Sequence, residues 1–371
     1  MRDGAELGVN AAIVGERPTG LGMYGLQLID ALDALGERLV VFTSCPDVVT
    51  ARRARVVRVS ARIRPERGAA GHLARLVWTQ TALRRHVRRA RPSALLNLMP
   101  EGLLATRVPQ VTVIHDVLPL HYPDEYPRQQ HYFRHFVPAV LAASRRIIVS
   151  SESTRRDIER FYPRVPRERL RVVAPGCDAR RFTPSAAPGA PRPDGRRYAL
   201  YVGNVMPHKN LGRLVDAFAT VPGEPWLVLR GWGRRHNVDE LRARIGRAGI
   251  GARVDWAPYA QEGELIDLYR GARMLLLPSL HEGFGMTALE AMACGTPVIT
   301  SATSSMPEAV GDAGLLVDPL DTTALAAAMT RLFAEDALAE DLRARGLSRA
   351  KLFAWETTAR AVQTAVREAE G

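Results

Sequence analysis

The feature that most constrains the fold of this chain is the alternation of short apolar runs with helical patterns. Runs such as Leu39 to Phe42 and Met274 to Leu277 are typical of buried strands. Between them lie stretches whose apolar residues recur at helical spacing. This βα repeat predicts parallel sheets, and 371 residues are enough for two domains with separate cores. We therefore predict an α/β chain with two doubly wound sheets.

The segment 183–197 divides the chain, because it lacks periodicity and is dense in Pro and Gly. We expect an N-terminal domain at 1–182, this linker, a second domain at 198–354 and a final helix at 355–371. Ligands of doubly wound sheets bind outside the carboxyl ends of the strands, so we expect both domains to face one cleft. The predicted strands are 9–14, 39–42, 94–98, 111–114, 147–149, 198–202, 226–229, 254–256, 274–277, 298–300 and 315–317.

The stretch from 278 to 300 carries the strongest chemical signal. Glu282 follows a predicted strand, and Glu290 lies eight residues later, two turns into a predicted helix. Gly283 and Gly285 remove side chains where a ligand would approach, and N–H groups at a helix start can hold hydroxyl or phosphate oxygens. Taken singly, each glutamate is more simply a solvated charge at a helix end. Together, two carboxylates across a glycine loop suit a polyol or a ribose.

The string Glu282-Gly-Phe-Gly-Met-Thr-Ala-Leu-Glu290, continued by Ala-Met-Ala-Cys-Gly-Thr-Pro-Val, resembles the signature of retaining glycosyltransferases of family 4. That family has the GT-B fold of two facing Rossmann-like domains. The resemblance implies that Glu290 binds the ribose of a nucleoside diphosphate sugar and that Glu282 holds the sugar hydroxyls. It also implies that the final helix crosses back onto the N-terminal domain. Further donor-binding positions implied around this string are Gly283, Phe284, Gly285, Met286 and Thr287.

The string Gly20-Leu-Gly22-Met-Tyr-Gly25 matches the G-x-G-x-x-G pattern of dinucleotide-binding oxidoreductases. Two observations disfavour that class. Five residues separate the predicted strand from Gly20, too many for the tight first turn, and the second strand ends in Phe42-Thr-Ser-Cys, without an acid for the adenosine ribose. The family resemblance instead implies a glycine loop whose amides, at Gly20 and Gly22, meet the donor diphosphate and the acceptor.

The stretch from 201 to 211 resembles the first motif of the family's second domain. Gly203 follows a predicted strand, and Lys209 is one of only two lysines in the chain. A compact ammonium is well suited to a diphosphate.

Many family members carry arginine where this chain has Asn204 and His208. We therefore expect Lys209 to neutralise most of the diphosphate charge, helped by Arg230 or Arg213. The donor-binding positions expected in this part are Gly203, Asn204, Lys209 and Arg230.

The pair His115-Asp116 ends a predicted strand. A lone His-Asp pair is more often a satisfied strand-end interaction than a catalytic one. However, the string from His115 to Pro123 resembles one that supplies a sugar-contacting His in bacterial members of the family, most of all in mannosyltransferases of surface-polysaccharide assembly. The resemblance implies catalytic roles for His115, Glu282 and Lys209, an orienting role for Asp116, and GDP-mannose as the donor.

Positive charge is concentrated in the N-terminal half. Residues 51–100 contain thirteen arginines and a single acid, Glu66, in a chain of net charge +12. This stretch is either a solvated face or a surface for phosphate-bearing acceptors or anionic lipid. Nucleic acid is disfavoured, because no binding motif appears. Without a long apolar run or a signal-peptide pattern, we expect a cytoplasmic protein, with peripheral contact to the inner face of the membrane as one alternative.

No metal and no cofactor are expected, the nucleoside diphosphate sugar being a substrate. His281-Glu282 is followed by Gly-Phe-Gly and fails the HExxH zinc pattern, and no Asp-x-Asp occurs. Isolated cysteines predict reduced, buried thiols, and this applies to Cys45, Cys177 and Cys294.

These features together predict a retaining glycosyltransferase that moves a hexosyl group to a hydroxyl of a glycan, glycolipid or natural product. Two alternatives stay open. A sugar-nucleotide epimerase on the same fold would need further acid–base carboxylates. A noncatalytic partner would keep the fold for binding, and Asn204 in place of arginine is the feature in its favour.

Overall fold

The computed structural model describes residues 6–18, 20–184, 195–258 and 262–371, which form two compact units. Unit 1 contains the chain up to Gly176 and again from Trp355 to Gly371. Unit 2 contains Cys177–Ala354. Each unit is built on its own parallel sheet, which confirms the predicted α/β class.

Unit 1 has seven strands and, before the chain leaves it, seven α-helices among its described residues. The strands are β1 (Leu7–Asn10), β2 (Leu39–Thr43), β3 (Arg55–Arg58), β4 (Ala94–Asn97), β5 (Gln110–Ile114), β6 (Arg146–Val149) and β7 (Leu170–Val172). They pair in parallel in the order β3-β2-β1-β4-β5-β6-β7. The helices are α1 (Leu21–Ala34), α2 (Gly68–Trp78), α3 (Arg84–Ala90), α4 (Leu118–His121), α5 (Gln129–His135), α6 (Val137–Ala143) and α7 (Glu152–Phe161).

Unit 2 repeats this plan with six strands. The strands are β8 (Tyr198–Val202), β9 (Trp226–Arg230), β10 (Val254–Ala257), β11 (Met274–Leu277), β12 (Val298–Ser301) and β13 (Gly314–Val317). They are all parallel, in the order β10-β9-β8-β11-β12-β13. The helices are α8 (Leu211–Ala219), α9 (Arg235–Arg247), α10 (Glu262–Gly271), α11 (Met286–Ala293), α12 (Met306–Val310), α13 (Thr322–Ala334) and α14 (Asp336–Ala350).

The last helix, α15 (Trp355–Glu370), belongs to unit 1. It packs along α1, and its outer turns are tied to β6 by an ion pair between Arg146 Nε and Glu368 Oε2 at 2.8 Å. Gly176 lets the chain pass closely, because an added Cβ would lie 2.6 Å from the Trp355 Cα. Unit 1 is therefore completed by a segment that is distant in sequence.

The boundary between the units differs from the predicted one. We expected the first domain to reach residue 182, but Cys177 already belongs to unit 2, where its N–H donates to the Phe353 carbonyl at 2.7 Å and it forms a β-bridge with Ala354. Most of the predicted linker, residues 185–194, lies outside the described residues.

Strand positions were predicted well where the strand is central and less well at the edges. The bounds of β8 and β11 match the prediction. The first strand ends at Asn10 rather than at residue 14, because the buried apolar residues that follow form a turn, with Val14 N–H donating to Ala11 O at 3.1 Å. Two strands, β3 and β7, were not predicted, because they are edge strands without an apolar alternation.

Both sheets have a point where strand order reverses. In unit 1 it lies between β1 and β4, and in unit 2 between β8 and β11. Beyond the carboxyl ends of these strands two loops diverge, and such a crevice is the usual ligand site of a doubly wound sheet. Across the described parts of the chain, no helix combines the length and apolar composition needed to cross a membrane.

One close backbone approach in unit 2 gives a stability test. An added Cβ at Gly231 would lie 1.7 Å from the Gly203 carbonyl oxygen, so Gly231→Ala forces apart the ends of β8 and β9. We expect this change to lower the free energy of unfolding by about 3 kcal/mol, measured by chemical denaturation.

The matched control is Gly246→Ala in the exposed part of α9, where an added Cβ meets nothing within 4 Å. It should be neutral or stabilise the helix by roughly 1 kcal/mol. Equal effects of the two changes would contradict this account of the loop.

Candidate functional site

The point of strand reversal in unit 2 holds a largely buried ion pair, whose side chains are 18% and 15% exposed. Lys209 follows β8, Glu282 follows β11, and Lys209 Nζ lies 2.7 Å from Glu282 Oε1. Ser279 also donates its hydroxyl to Glu282 Oε1 at 2.7 Å. Burial opposes ionisation of Glu282, but the charge and hydrogen bond of Lys209, together with Ser279, outweigh it and hold the pKa of Glu282 below its ordinary value. Both predicted residues therefore meet, as charged partners, at the expected edge of the sheet.

Three further hydrogen bonds hold the backbone of these loops. The Leu280 N–H donates to the His208 carbonyl at 2.7 Å. Asn210 sits in a left-handed conformation, φ 61°, and its side-chain amide donates to the Pro278 carbonyl at 3.0 Å and the Pro319 carbonyl at 2.7 Å. The ion pair is therefore supported by a fixed backbone rather than by two mobile loops.

The backbone of Glu282 is held from a third loop, which follows β12. The Glu282 N–H donates to Ser304 Oγ at 3.0 Å, and Ser305 Oγ donates to the Glu282 carbonyl at 2.9 Å. Ser304 itself has φ 53°, a conformation that costs energy for a residue with a side chain. This turn therefore fixes the backbone of Glu282.

The glycine loop opens directly into α11. Gly285 has φ 100°, and an added Cβ would lie 2.8 Å from Met306 Sδ, so only glycine fits. Phe284 is buried, with its ring 5.4 Å from the Phe353 ring. Met286 and Thr287 are the first two residues of α11, where backbone N–H groups have no partner within the helix. These two N–H groups lie close to Glu282 in sequence and can bind an anion.

Glu290 lies on α11 and is held by a buried tyrosine. The Tyr269 hydroxyl donates to Glu290 Oε2 at 2.9 Å. Burial raises the pKa of Glu290 to about 7, although the Tyr269 hydrogen bond and the charge of Arg181 favour its ionised form. Burial, followed by the nearby Glu290 charge, raises the pKa of Tyr269 well above its ordinary value, so Tyr269 stays a donor. The carboxyl group can accept hydrogen bonds from a diol once it is ionised.

Arg230, which we expected to help neutralise the diphosphate, already contacts two carboxylates. It ends β9, but its guanidinium contacts Asp255 Oδ2 at 3.2 Å and Glu264 Oε1 at 3.6 Å, so two carboxylates already compensate its charge. Arg213, the other expected helper, donates to Asn210 Oδ1 at 2.9 Å. Of the three expected cations, Lys209 is the one that contacts Glu282 at the point of strand reversal.

The backbones of Gly203 and Asn204, the other two predicted positions after β8, have structural roles. Gly203 N–H donates to the Arg230 carbonyl at 3.0 Å, which closes the turn after β8. Asn204 is exposed, and its carbonyl accepts the buried Tyr201 hydroxyl at 2.8 Å. Its backbone is thus structural, while its side chain is available to a ligand.

In unit 1, His115 lies at the carboxyl end of β5 with a fixed ring. Its Nε2 lies 3.1 Å from the Leu98 carbonyl, which can only accept, so Nε2 carries the proton. The Tyr24 ring meets the imidazole edge to face, 4.5 Å between centroids. Burial lowers the pKa of His115, against the Leu98 hydrogen bond and the charge of Asp116. The ring is therefore neutral near pH 7, and Nδ1 carries a lone pair.

Asp116 does not orient His115 by a hydrogen bond, as the prediction implied. Its Oδ1 accepts the Leu118 N–H at 3.0 Å and so caps the turn that starts α4. Its influence on His115 is through charge alone. The orienting groups are the Leu98 carbonyl and the Tyr24 ring.

Gly20, which precedes α1, and Gly22, which lies in its first turn, are glycines for different structural reasons. Gly20 has φ 40° and an exposed position, with nothing within 4 Å of an added Cβ. Gly22 is buried, and its Cβ would lie 3.0 Å from Pro18 Cβ. Gly20 therefore offers open backbone to a ligand, whereas Gly22 allows the loop to pack on the helix.

Several residues of the site escaped the sequence analysis. Tyr24 is adjacent to the glycine pattern but reads as an ordinary apolar position of α1. Tyr269, Ser279, Ser304 and Ser305 act on glutamates that lie elsewhere in the sequence, and no local pattern marks such partners. The cysteine prediction is confirmed, since all three thiols are free and buried.

Two protein-family models match the chain, one in each half. The model described as Glycosyltransferase Family 4 matches residues 18–181, and the model described as Glycosyl transferases group 1 matches residues 185–349. The second range contains the Lys209–Glu282 pair and Glu290.

Curated relatives resemble the chain over about two thirds of its length. O-antigen chain mannosyltransferase B of Escherichia coli is 33% identical over 256 residues, which cover 66% of this chain and 67% of that protein. D-inositol 3-phosphate glycosyltransferase of Xylanimonas cellulosilytica is 33% identical over 237 residues, 60% of this chain and 57% of that protein. Among solved structures, sucrose-phosphate synthase (tll1590) from Thermosynechococcus elongatus has a TM-score of 0.79 at 24% identity and covers 98% of both chains, a likeness of fold.

The Lys209–Glu282 pair predicts a measurable coupling. In a double-mutant cycle of Lys209→Met and Glu282→Gln, we expect a coupling free energy of about 1–3 kcal/mol in unfolding near neutral pH, because each single change leaves a buried charge alone. Since the folded pKa of Glu282 is lowered, this stabilisation is present above the unfolded value of about 4.3 and is lost as pH falls through the folded one.

The control cycle is the exposed pair Arg360–Glu356 on α15, with Nη2 and Oε1 2.7 Å apart. It should give at most about 0.5 kcal/mol. A coupling at the buried pair no larger than this would contradict the charged state assigned to it.

Proposed function

Because this chain belongs to glycosyltransferase family 4, we propose that it transfers a hexosyl group from a nucleoside diphosphate sugar to a hydroxyl, with retention of anomeric configuration. The observation that carries the proposal is the Lys209–Glu282 pair at the point of strand reversal in unit 2. One charge of each sign is held there beside a helix start. The positive charge of Lys209 can stabilise the leaving diphosphate. The carboxylate of Glu282 can accept hydrogen bonds from the sugar hydroxyls.

Lys209 serves the diphosphate in this proposal. An ammonium has three N–H donors, and the contact with Glu282 uses one of them. The others can turn to phosphate oxygens, joined by the N–H groups of Met286 and Thr287. Positive charge placed before the reaction stabilises the diphosphate as it departs, without a metal ion.

The two glutamates serve the two sugars. Lys209 and Ser279 both contact Oε1 of Glu282, which leaves Oε2 to accept from hydroxyls of the transferred sugar. Glu290 accepts from the ribose diol, its carboxyl group already oriented by Tyr269. For unit 1 we keep the roles that the family resemblance gives to Gly20, Gly22 and His115, whose Nδ1 lone pair can accept from a sugar hydroxyl.

Retention follows from attack on the face that the diphosphate leaves. The bond from the anomeric carbon to the diphosphate oxygen breaks, the bond from that carbon to the acceptor oxygen forms on the same face, and the acceptor proton passes to the departing phosphate oxygen. The sugar carries positive character between these events. The chain's own residues stabilise charge and position groups, and none acts as a covalent nucleophile.

We propose GDP-mannose as the donor. Support comes from the 33% identity to a relative named as an O-antigen chain mannosyltransferase and from the string that starts at His115. The relative named as a D-inositol 3-phosphate glycosyltransferase is equally identical and bears a phosphorylated polyol in its name. We therefore propose a hydroxyl of a glycan, glycolipid or natural product as the acceptor, and phosphorylated polyols belong in the acceptor screen.

The first experiment is a thermal-shift panel of GDP, UDP, dTDP and ADP with their common sugars, each with Mg²⁺ and with EDTA. We expect GDP and GDP-mannose to raise the melting temperature by the same amount with Mg²⁺ and with EDTA. In Lys209→Ala this increase should be absent. Sugar transfer to candidate acceptors, read by NMR for anomeric configuration, then tests retention directly.

The variant Glu290→Ala separates the alternatives. An enzyme loses turnover, whereas a noncatalytic partner keeps its binding role. Nucleotide-sugar isomerisation without an acceptor would identify an epimerase, and a rise seen only with Mg²⁺ would contradict metal independence.

Glu290 also predicts a pH dependence. Because its folded pKa is raised to about 7, the folded protein keeps a proton that the unfolded chain releases, so stability falls as pH rises between the two values. Relative to Glu290→Gln, the wild type should lose roughly 3 kcal/mol across this window.

Donor affinity should increase with pH, whereas stability decreases. Between about pH 6 and about pH 8, ionisation of Glu290 should strengthen GDP binding in the wild type and leave it flat in Glu290→Gln. The ligand control is 2′-deoxy-GDP, which lacks one hydroxyl of the diol. An equal pH response to GDP and 2′-deoxy-GDP would contradict the ribose contact.

A further inference from the structure

Unit 1 contains a cavity that the proposed reaction does not use. Its volume is about 620 Å³, and it lies between the end of helix α3 and the loop that leads into β5. Val87 and Leu103, both buried, form its apolar part. Arg84, Arg88 and Arg107 supply its charged side chains.

The charge of this cavity is uncompensated. Among the described residues, none of these three arginines has a carboxylate within ion-pair distance, and no acidic residue lines the cavity. Arg84 Nη2 donates to the Ala105 carbonyl at 2.9 Å, but its Nε is buried without a hydrogen-bond acceptor in the described structure. A buried guanidinium N–H without a partner is costly, and a bound anion would satisfy it.

The surroundings strengthen the positive potential. Burial, then the charges of Arg89 and Arg85, lowers the pKa of His86 on the same helix. The dipole of α3 favours a cation such as Arg88 in its last turn, but it does not account for Arg84, which is the first residue of the helix. It does not account for Arg107, which comes from a different segment and converges on the same space.

The cavity lies at the amino ends of the strands of unit 1, whereas the residues proposed for the reaction lie at their carboxyl ends. Arg107 and its loop precede β5, and Arg84 and Arg88 lie in the helix that precedes β4, so these residues flank the amino ends of the parallel strands. Gly20 and His115 follow the carboxyl ends of β1 and β5. A ligand here would therefore not occupy the donor or acceptor positions proposed for unit 1.

We propose that this cavity binds a phosphate group attached to an apolar body, as a second site distinct from the transferase site. The three arginines and the Arg84 Nε–H hold the phosphate, which guanidinium groups recognise through paired hydrogen bonds. Val87 and Leu103 contact the apolar part. The phosphate can belong to a soluble monoester or to a lipid headgroup, since both present the same chemistry.

The test titrates the full-length protein with hexyl phosphate, followed by calorimetry, with inorganic phosphate as the reference. We expect hexyl phosphate to bind more tightly than inorganic phosphate, and Arg84→Gln and Arg107→Gln each to weaken it by about tenfold or more. Arg107 is exposed on a loop, so its substitution leaves folding intact.

The matched control is Arg89→Gln, which removes the same charge from the same helix at an exposed position that does not line the cavity. It should change the affinity by less than about twofold. Lys209→Ala, run in parallel, should also leave it unchanged, which separates this site from the donor site. No binding of hexyl phosphate, or equal losses in Arg84→Gln, Arg107→Gln and Arg89→Gln, would overturn the proposal.

Vesicles distinguish the two sources of the phosphate. Binding to phosphatidylglycerol vesicles, but not to phosphatidylcholine vesicles, that is lost in Arg107→Gln and kept in Arg89→Gln would support a lipid headgroup. Hexyl phosphate binding with the same variant pattern, but without a vesicle effect of Arg107→Gln, would support a soluble monoester.

Discussion

The ion pair between Lys209 and Glu282 is the interaction on which the rest of unit 2 depends. It joins the loops after β8 and β11, the two strands between which the order of the sheet reverses. A buried pair of this kind contributes little net stability, because desolvation offsets most of the attraction. The importance of the pair lies in its position, because it holds one positive and one negative group, both largely shielded from solvent, where the strands open a crevice.

The cost of holding Glu282 is distributed over three loops. Ser279 satisfies the carboxylate, Ser304 and Ser305 satisfy the backbone, and Ser304 accepts a left-handed conformation to do so. Strain and buried charge persist only where the surroundings determine them completely. Such a site has little reorganisation left to perform when a ligand arrives, and this is the condition for strong electrostatic stabilisation of a leaving group.

In unit 1 the strands at the reversal point are joined by a buried network of side chains that are hydrogen-bonded to one another. Asn10 and Asn97 end β1 and β4 and are hydrogen-bonded to each other at 3.3 Å, and Asn10 also donates to the Glu101 carbonyl at 3.0 Å. The Glu101 carboxylate is buried against Arg75, at 2.8 Å, and His72, at 3.0 Å. Burial opposes its ionisation, yet these partners hold the pKa of Glu101 below its ordinary value. The two sheets share a strand order but place different chemistry at its reversal point.

Local sequence predicted what depends on one segment. The apolar runs gave the central strands, and the spacing of Glu282, Gly285 and Glu290 gave a strand, a glycine turn and a helix with its two carboxylates. Local sequence did not reveal contacts between residues that are distant in the chain. Arg230 ends a strand at the correct edge, but only the fold reveals that Asp255 and Glu264 compensate its charge.

The sequence by itself determined the α/β class, the division into two units, the family resemblance and the identity of the acidic and basic groups, because periodicity and short motifs are properties of contiguous residues. Only the tertiary structure decided that Lys209 and Glu282 are partners, that Tyr269 holds Glu290, that Leu98 rather than Asp116 orients His115, and that three arginines meet at one cavity. The physical reason is that the energy of a charge or a hydrogen bond is set by what lies within a few ångströms of it, and chain folding brings those neighbours from segments that share no pattern.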